Sequence, residues 1–163
     1  MNAIKINRTL QDGTYKLDQI FDGLKAAEIL LEIFGTVTEL DDVFSKTKVM
    51  VDEHGHYMHV TNDDATIVIG TGHLKNSDKI ILYLDIVHEL VHVKQQRKGL
   101  DLYDNSYNYV DRPTEIEAYA IAMKEAKRLG MQDAEIFDYL HVEWITPEEH
   151  KRLATNIGLI SQK

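Results

Sequence analysis

Apolar residues change their spacing several times along the chain, and each change marks an element. Residues 17–34, LDQIFDGLKAAEILLEIF, place Leu17, Ile20, Phe21, Leu24, Ala27 and Leu31 on one helical face, with Gly35 following as a stop. That spacing predicts one helix. From 47 to 70 the period shortens: KVMV, HYMHV and ATIVIG are short and β-rich, and the turn-forming DEHG and TNDD separate them. This pattern predicts a small antiparallel meander. Residues 78–98 return to a helical period, with Asn76 or Ser77 as cap and Gly99 as terminator. The tyrosine-rich stretch 99–113 is longer than a structural connection needs. A second long helix is predicted over 114–129, ending at Gly130. Shorter helices follow over 132–141 and over 147–156, the latter with Pro147 in its first turn. The expected fold class is α+β: a small antiparallel sheet packed on the 78–98 helix, with further helices on both sides in sequence. No repeat, low-complexity block or linker interrupts the chain, so residues 1–163 read as one domain.

Composition narrows the function classes. The 163 residues suffice for one real core, and 44% hydrophobic with 28% charged residues is an ordinary globular mix. A net charge of −9 argues against a partner held by phosphate contacts, so no nucleic acid is expected. The one basic run, KQQRK at 94–98, reads as cations offsetting a helix dipole. The absence of cysteine excludes disulfides, thiolate metal sites and cysteine nucleophiles. The N-terminus carries no apolar leader, and the longest apolar run, IILYL at 80–84, is too short to span a bilayer. The expectation is a cytoplasmic protein without membrane contact. No G-x-S-x-G elbow supports a serine hydrolase.

The chemistry concentrates at His88-Glu89-Leu90-Val91-His92. Histidines four apart share a helix face, with Cβ atoms about 5–6 Å from each other, so both rings can reach one metal ion. Imidazole is a good zinc ligand, and open zinc sites commonly take three protein ligands. Glu89, beside the first histidine, points partly toward the same space, where a carboxylate can take a proton from activated water and pass it to a leaving amine. A helix this apolar must satisfy two histidines and a glutamate, and a metal ion does so.

The stretch resembles the H-E-x-x-H signature of zincin metallopeptidases. Residues 112–122, RPTEIEAYAIA, are similar to the second zinc-binding helix of the gluzincin branch, where a glutamate precedes an alanine as E-x-x-A. The regulatory ImmA/IrrE-type peptidases and the membrane-bound HtpX-type peptidases both carry such a segment. The likeness covers residues from about 66 to 129. It implies a zincin-like fold and zinc-dependent hydrolysis of a peptide or protein substrate. It also implies His88, His92 and Glu115 as zinc ligands and Glu89 as general base and then acid. The strand TIVIG, 66–70, becomes the candidate rim of the substrate cleft, open to strand addition. Two positions differ from the family pattern. Lys94 stands where a hydrophobic residue is usual, and Tyr119 where many gluzincins have an aspartate. Asp85 or Asp111 is then the expected residue orienting a ligand histidine.

Glu117 is the rival third ligand. It lies two residues from Glu115, so the two carboxylates cannot face one metal. Glu115 shares a face with Ala118, Tyr119 and Ala122, while Glu117 lines up with Lys124 and Arg128 and reads as a capping box with Thr114. Tyr103, Tyr107, Tyr109, Tyr119 and His141 are open candidates for the donor that stabilises an oxyanion. His54, His56 and His59 read as exposed turn and strand residues. GTG at 70–72 reads as a turn, with His73 a candidate cleft residue. A zincin-fold module that only binds, needs an activator, or cuts one specific partner is the alternative reading.

Overall fold

The first expected helix is broken. In a computed structural model of the chain, which describes residues 3–161, the N-terminal region runs β1 (Lys5–Ile6), β2 (Gly13–Lys16), α1 (Leu17–Ile20) and β3 (Phe21–Asp22). A 3-10 turn (Leu24–Ala26), α2 (Glu28–Phe34) and α3 (Val37–Lys46) follow. Leu17, Ile20, Phe21 and Leu24 are fully buried, as their spacing suggests. The chain nevertheless leaves the helix at Phe21, which pairs with Ile6 in a two-stranded antiparallel sheet. Gly23 then turns at φ +83°, a left-handed conformation that favours glycine. When the helix resumes, its buried face is Ile29, Leu30, Ile33 and Phe34, and Leu31 is 44% exposed.

The remaining strands are β4 (Lys48–Asp52), β5 (Met58–Val60) and β6 (Ile67–Gly70). The main sheet has the order β2-β4-β6-β5. It is mixed rather than a meander, because β4 and β6 run parallel while β2 pairs with β4, and β5 with β6, antiparallel. The short β4–β5 link therefore does not close a hairpin; it crosses the end of β6. Two glycines permit the crossing: a Cβ on Gly70 would lie 2.2 Å from the Gly55 carbonyl oxygen. TIVIG is thus an interior strand, with all four β6 residues buried, and β5 is the outer edge.

Gly70 leads directly into α4 (Thr71–Asn76), so GTG opens a helix rather than a turn. Next come α5 (Lys79–Arg97), a 3-10 turn (Tyr109–Asp111), α6 (Pro113–Arg128), α7 (Asp133–Tyr139) and α8 (Pro147–Asn156). The N-cap of α5 is Asp78, not Asn76 or Ser77, and Gly99 at φ +79° ends the helix as expected. Arg112 is the N-cap of α6, with Pro113 in its first turn. Helix α5 is buried on nearly every side, packing on α6, α2 and β5. Its apolar residues Ile86, Val87, Leu90 and Val91 are fully buried, each stabilising the fold by roughly 1.5–3 kcal/mol. The architecture is α+β. No helix among the described residues is long and apolar enough to cross a membrane.

Candidate metal centre

Helices α5 and α6 bring His88, His92 and Glu115 together in the interior, where each is about 95% buried, at 6%, 5% and 6% exposure. The two Nε2 atoms lie 2.9 Å apart, and Glu115 Oε2 stands 3.4 Å from the first and 3.5 Å from the second. Three donors around one tetrahedral zinc ion, at bonds of about 2.0–2.1 Å, stand roughly 3.3 Å from one another. The triangle has that size. Glu115 Oε2 accepts no hydrogen bond among the described residues. Burial opposes charge on Glu115, but the two histidines outweigh it and hold its carboxyl well below the usual range. Burial likewise opposes charge on His92, yet Glu115 prevails and pushes the imidazole up to about 9. The cluster demands positive charge at its centre, which protons supply poorly and a divalent cation supplies well.

The residue orienting His92 is neither Asp85 nor Asp111. Gln95 Oε1 lies 2.7 Å from His92 Nδ1, while Gln95 Nε2 donates to the Thr114 carbonyl at 3.0 Å and to Glu117 Oε2 at 2.8 Å. The two acceptors at Nε2 fix the amide orientation, so His92 Nδ1 donates to Gln95 and Nε2 is the nitrogen turned toward His88 and Glu115. Glu117 therefore serves Gln95 and does not form the capping box expected with Thr114. Asp85 instead pairs with His73 at 2.8 Å, and Asp111 accepts from Arg152 at 2.9 Å. Tyr119 packs its ring edge-on against His88, with ring centroids 4.3 Å apart.

A cleft of ≈ 510 Å³ opens over the cluster, bordered by His88, Glu89, His92 and Glu115 on one side and residues 55–60 on the other. Its rim is β5. Thr61 N–H bonds to the Thr66 carbonyl, and Gly70 N–H to that of Tyr57, so odd-numbered residues face β6. The backbone groups of Met58 and Val60 consequently turn to the outer edge. Glu89 Oε2 is buried without a hydrogen-bond partner among the described residues, and burial, against the pull of both histidines, raises its pKa.

The chain matches no family model, no curated protein and no solved structure.

Of the five oxyanion candidates, Tyr103 and Tyr109 line this cleft and Tyr119 lines a smaller recess behind it; Tyr107 and His141 border neither. The Tyr103 hydroxyl donates to the Val60 carbonyl at 2.7 Å, and the Tyr109 and Tyr119 hydroxyls pair at 2.8 Å. His73 does reach the recess, together with Asp85. His54, His56 and His59 are exposed, yet His56 and His59 also border the cleft. Sequence reasoning missed Gln95, Arg112, Tyr57 and Trp144. Gln95 carried a signal, since an amide three residues after His92 shares its face. Arg112, Tyr57 and Trp144 carried none, because loops and the sheet edge deliver them.

Proposed function

We propose that the protein is a zinc-dependent peptidase, with His88, His92 and Glu115 as metal ligands and Glu89 as the proton-transfer group. The observation that carries this reading is a buried His-His-Glu triangle of ligand size beside an unpartnered Glu89 carboxylate oxygen, at the floor of an open cleft. A zinc ion held there supplies Lewis acidity toward water and toward a peptide carbonyl. The chain's own groups do the rest. An extended peptide adds to the outer edge of β5 through Met58 and Val60. Glu89 takes the proton of the attacking water and returns it to the leaving amine; its raised pKa suits that exchange. Tyr109 is the oxyanion donor, because its hydroxyl can accept from Tyr119 and donate into the cleft, whereas the Tyr103 proton is committed to Val60.

That last bond favours a second reading, in which cleavage awaits an activator. Tyr103 occupies an acceptor on the edge that an incoming strand would use.

The test is metal analysis of the purified protein together with casein cleavage by wild type and Glu89→Gln. Expected are one zinc per chain in both proteins and hydrolysis by wild type alone, with a loss of about 10²–10⁴-fold in the variant. Zinc in both without cleavage by wild type points to the activator-dependent reading. No zinc, even after its addition, overturns the proposal.

A further inference from the structure

The wall of the cleft contains a largely buried guanidinium whose Nε meets no acceptor among the described residues. Arg112 lines the cleft beside Glu115, and its side chain is only 11% exposed. Its Nε is buried with no hydrogen-bond partner among the described residues. Its nearest carboxylate oxygen, Glu115 Oε1, stands 3.9 Å from Nη1, beyond hydrogen-bond distance. The other close groups are ring faces. The guanidinium carbon lies 5.9 Å from the Tyr103 ring centroid and 6.0 Å from that of Tyr109. Two tyrosines thus hold the group in place without taking its N–H donors.

Burying an arginine without acceptors is costly, and proteins seldom do so without a use for the group. The cost rises further on the reading proposed above, on which this inference rests. Once Glu115 gives its charge to a divalent metal, it no longer offsets Arg112. The floor then carries two positive charges from the metal and one from Arg112, against one negative charge each from Glu115 and Glu89. The sum is positive, in a chain whose net charge is −9. A positively charged, partly desolvated floor with a planar fork of donors matches a carboxylate.

We infer that Arg112 is a specificity residue that receives a carboxylate of the peptide substrate, so the preferred substrates are cut next to an acidic side chain or a free C-terminus. These two sources share one chemistry. Both present a planar anion that two parallel N–H donors can grip, and neither needs a further basic residue in the cleft. Tyr57 and Trp144, in edge-to-face contact with ring centroids 5.5 Å apart, line the same cleft.

The experiment uses an N-acetylated random octapeptide library in four forms. Acidic side chains are either present or replaced by Asn and Gln, and each version carries a free or an amidated C-terminus. Zinc-loaded Glu89→Gln protein is immobilised, and retained peptides are quantified by mass spectrometry. The same is done with Arg112→Gln and Arg112→Lys added, with zinc content and melting temperature recorded for each protein. Removing both kinds of carboxylate should lower retention roughly ten- to hundredfold, the loss expected when a charge-assisted contact disappears. The two intermediate forms identify which carboxylate is read. Arg112→Gln should erase the discrimination, and Arg112→Lys should restore part of it, with zinc still bound. Equal retention of all four forms overturns the inference, as does discrimination that survives in Arg112→Gln. A general fall in retention of every form in both variants, with a lowered melting temperature, makes Arg112 a positioning residue for the 99–113 loop and also overturns it. Zinc binding and casein cleavage by wild type separate these failures from failure of the peptidase reading itself.

Discussion

At one end of the α5–α6 contact, Glu125 is fully buried and both its oxygens have partners; at the other, Glu115 is nearly as deep and one of its oxygens has none. The helices run antiparallel, since Tyr83 meets Glu125 while Gln95 meets Thr114. Glu125 Oε1 accepts from the Tyr83 hydroxyl at 2.5 Å and from Arg128 Nη2 at 2.6 Å, and its Oε2 accepts from Arg128 Nε at 2.7 Å. Both carboxylate oxygens of that cluster are thus answered within the protein. Around Glu115, orphaned atoms recur: His88 Nδ1, Glu89 Oε2, Arg112 Nε and Glu115 Oε2. Buried polar groups normally find partners within the protein or in ordered water. Of the orphaned atoms, Glu89 Oε2, Arg112 Nε and Glu115 Oε2 belong to residues that line the cleft. The same helix pair thus carries one cluster closed within the protein and one that could hold a metal ion.

Metal removal should produce the largest difference between the two ends. Zinc in thousandfold excess over its dissociation constant adds about 4 kcal/mol of stability. For a chain of this size that is roughly 10 °C in melting temperature. Thermal melts with zinc and with chelator should therefore differ in wild type and coincide in Glu115→Ala, which loses a ligand. Glu125→Gln should keep the full zinc response. A zinc response that survives Glu115→Ala, or that disappears in Glu125→Gln, would erase the distinction between a binding cluster and a structural one.

Gln95 gives the next effect. It touches no metal ligand except His92, whose Nδ1 it accepts from, and it ties that ring to α6 through Thr114 and Glu117. Replacing it with leucine keeps the bulk and frees the imidazole to rotate or change tautomer. Zinc affinity should fall ten- to hundredfold, as is usual when the partner of a ligand histidine is lost. Competition with a chromophoric chelator measures this directly. Unchanged affinity in Gln95→Leu would mean that packing alone orients His92.

How far the sequence foretold these features depends on how local their causes are. The helices over 78–98, 114–129 and 147–156 were legible because apolar spacing, proline and glycine act within a few residues. The last is matched residue for residue by α8, with Thr146 accepting from Glu149 N–H at its start. The H-E-x-x-H pair was legible for the same reason. The 17–34 stretch misled because Leu17, Ile20, Phe21 and Leu24 are buried in both readings; only Gly23, in mid-pattern, marked the break. Helix α3 carried no assignment at all. Strand order was hidden because the crossing of the β4–β5 link over β6 depends on Gly55 meeting Gly70, fifteen positions apart. Arg112 was hidden more deeply, since its meaning lies in the acceptors it lacks.

The smallest expected effect tests whether charge matters at the closed end. Burial raises the Glu125 pKa, but hydrogen bonds from Arg128 and Tyr83 outweigh it, and the carboxyl is held below its ordinary value. A folded pKa below the unfolded one means that ionised Glu125 adds stability above the unfolded carboxylate pKa, about 4.3. That contribution is lost as pH falls through the lower folded value. Glu125→Gln leaves an oxygen that can accept from Tyr83 but turns an amide toward Arg128. Since Arg128 is 46% exposed at its side chain, solvent can take over most of its hydrogen bonding. The cost should therefore be modest, about 1 kcal/mol, the difference between a charge-assisted bond and a neutral one. Urea denaturation of both chelated proteins measures it, and subtracting one from the other cancels the histidines and the remaining carboxylates. The gap should be full at pH 6 and close progressively below about pH 4.3. A gap that stays constant down to pH 3 would assign the stability of this end to shape alone and leave the Glu125 charge without a role.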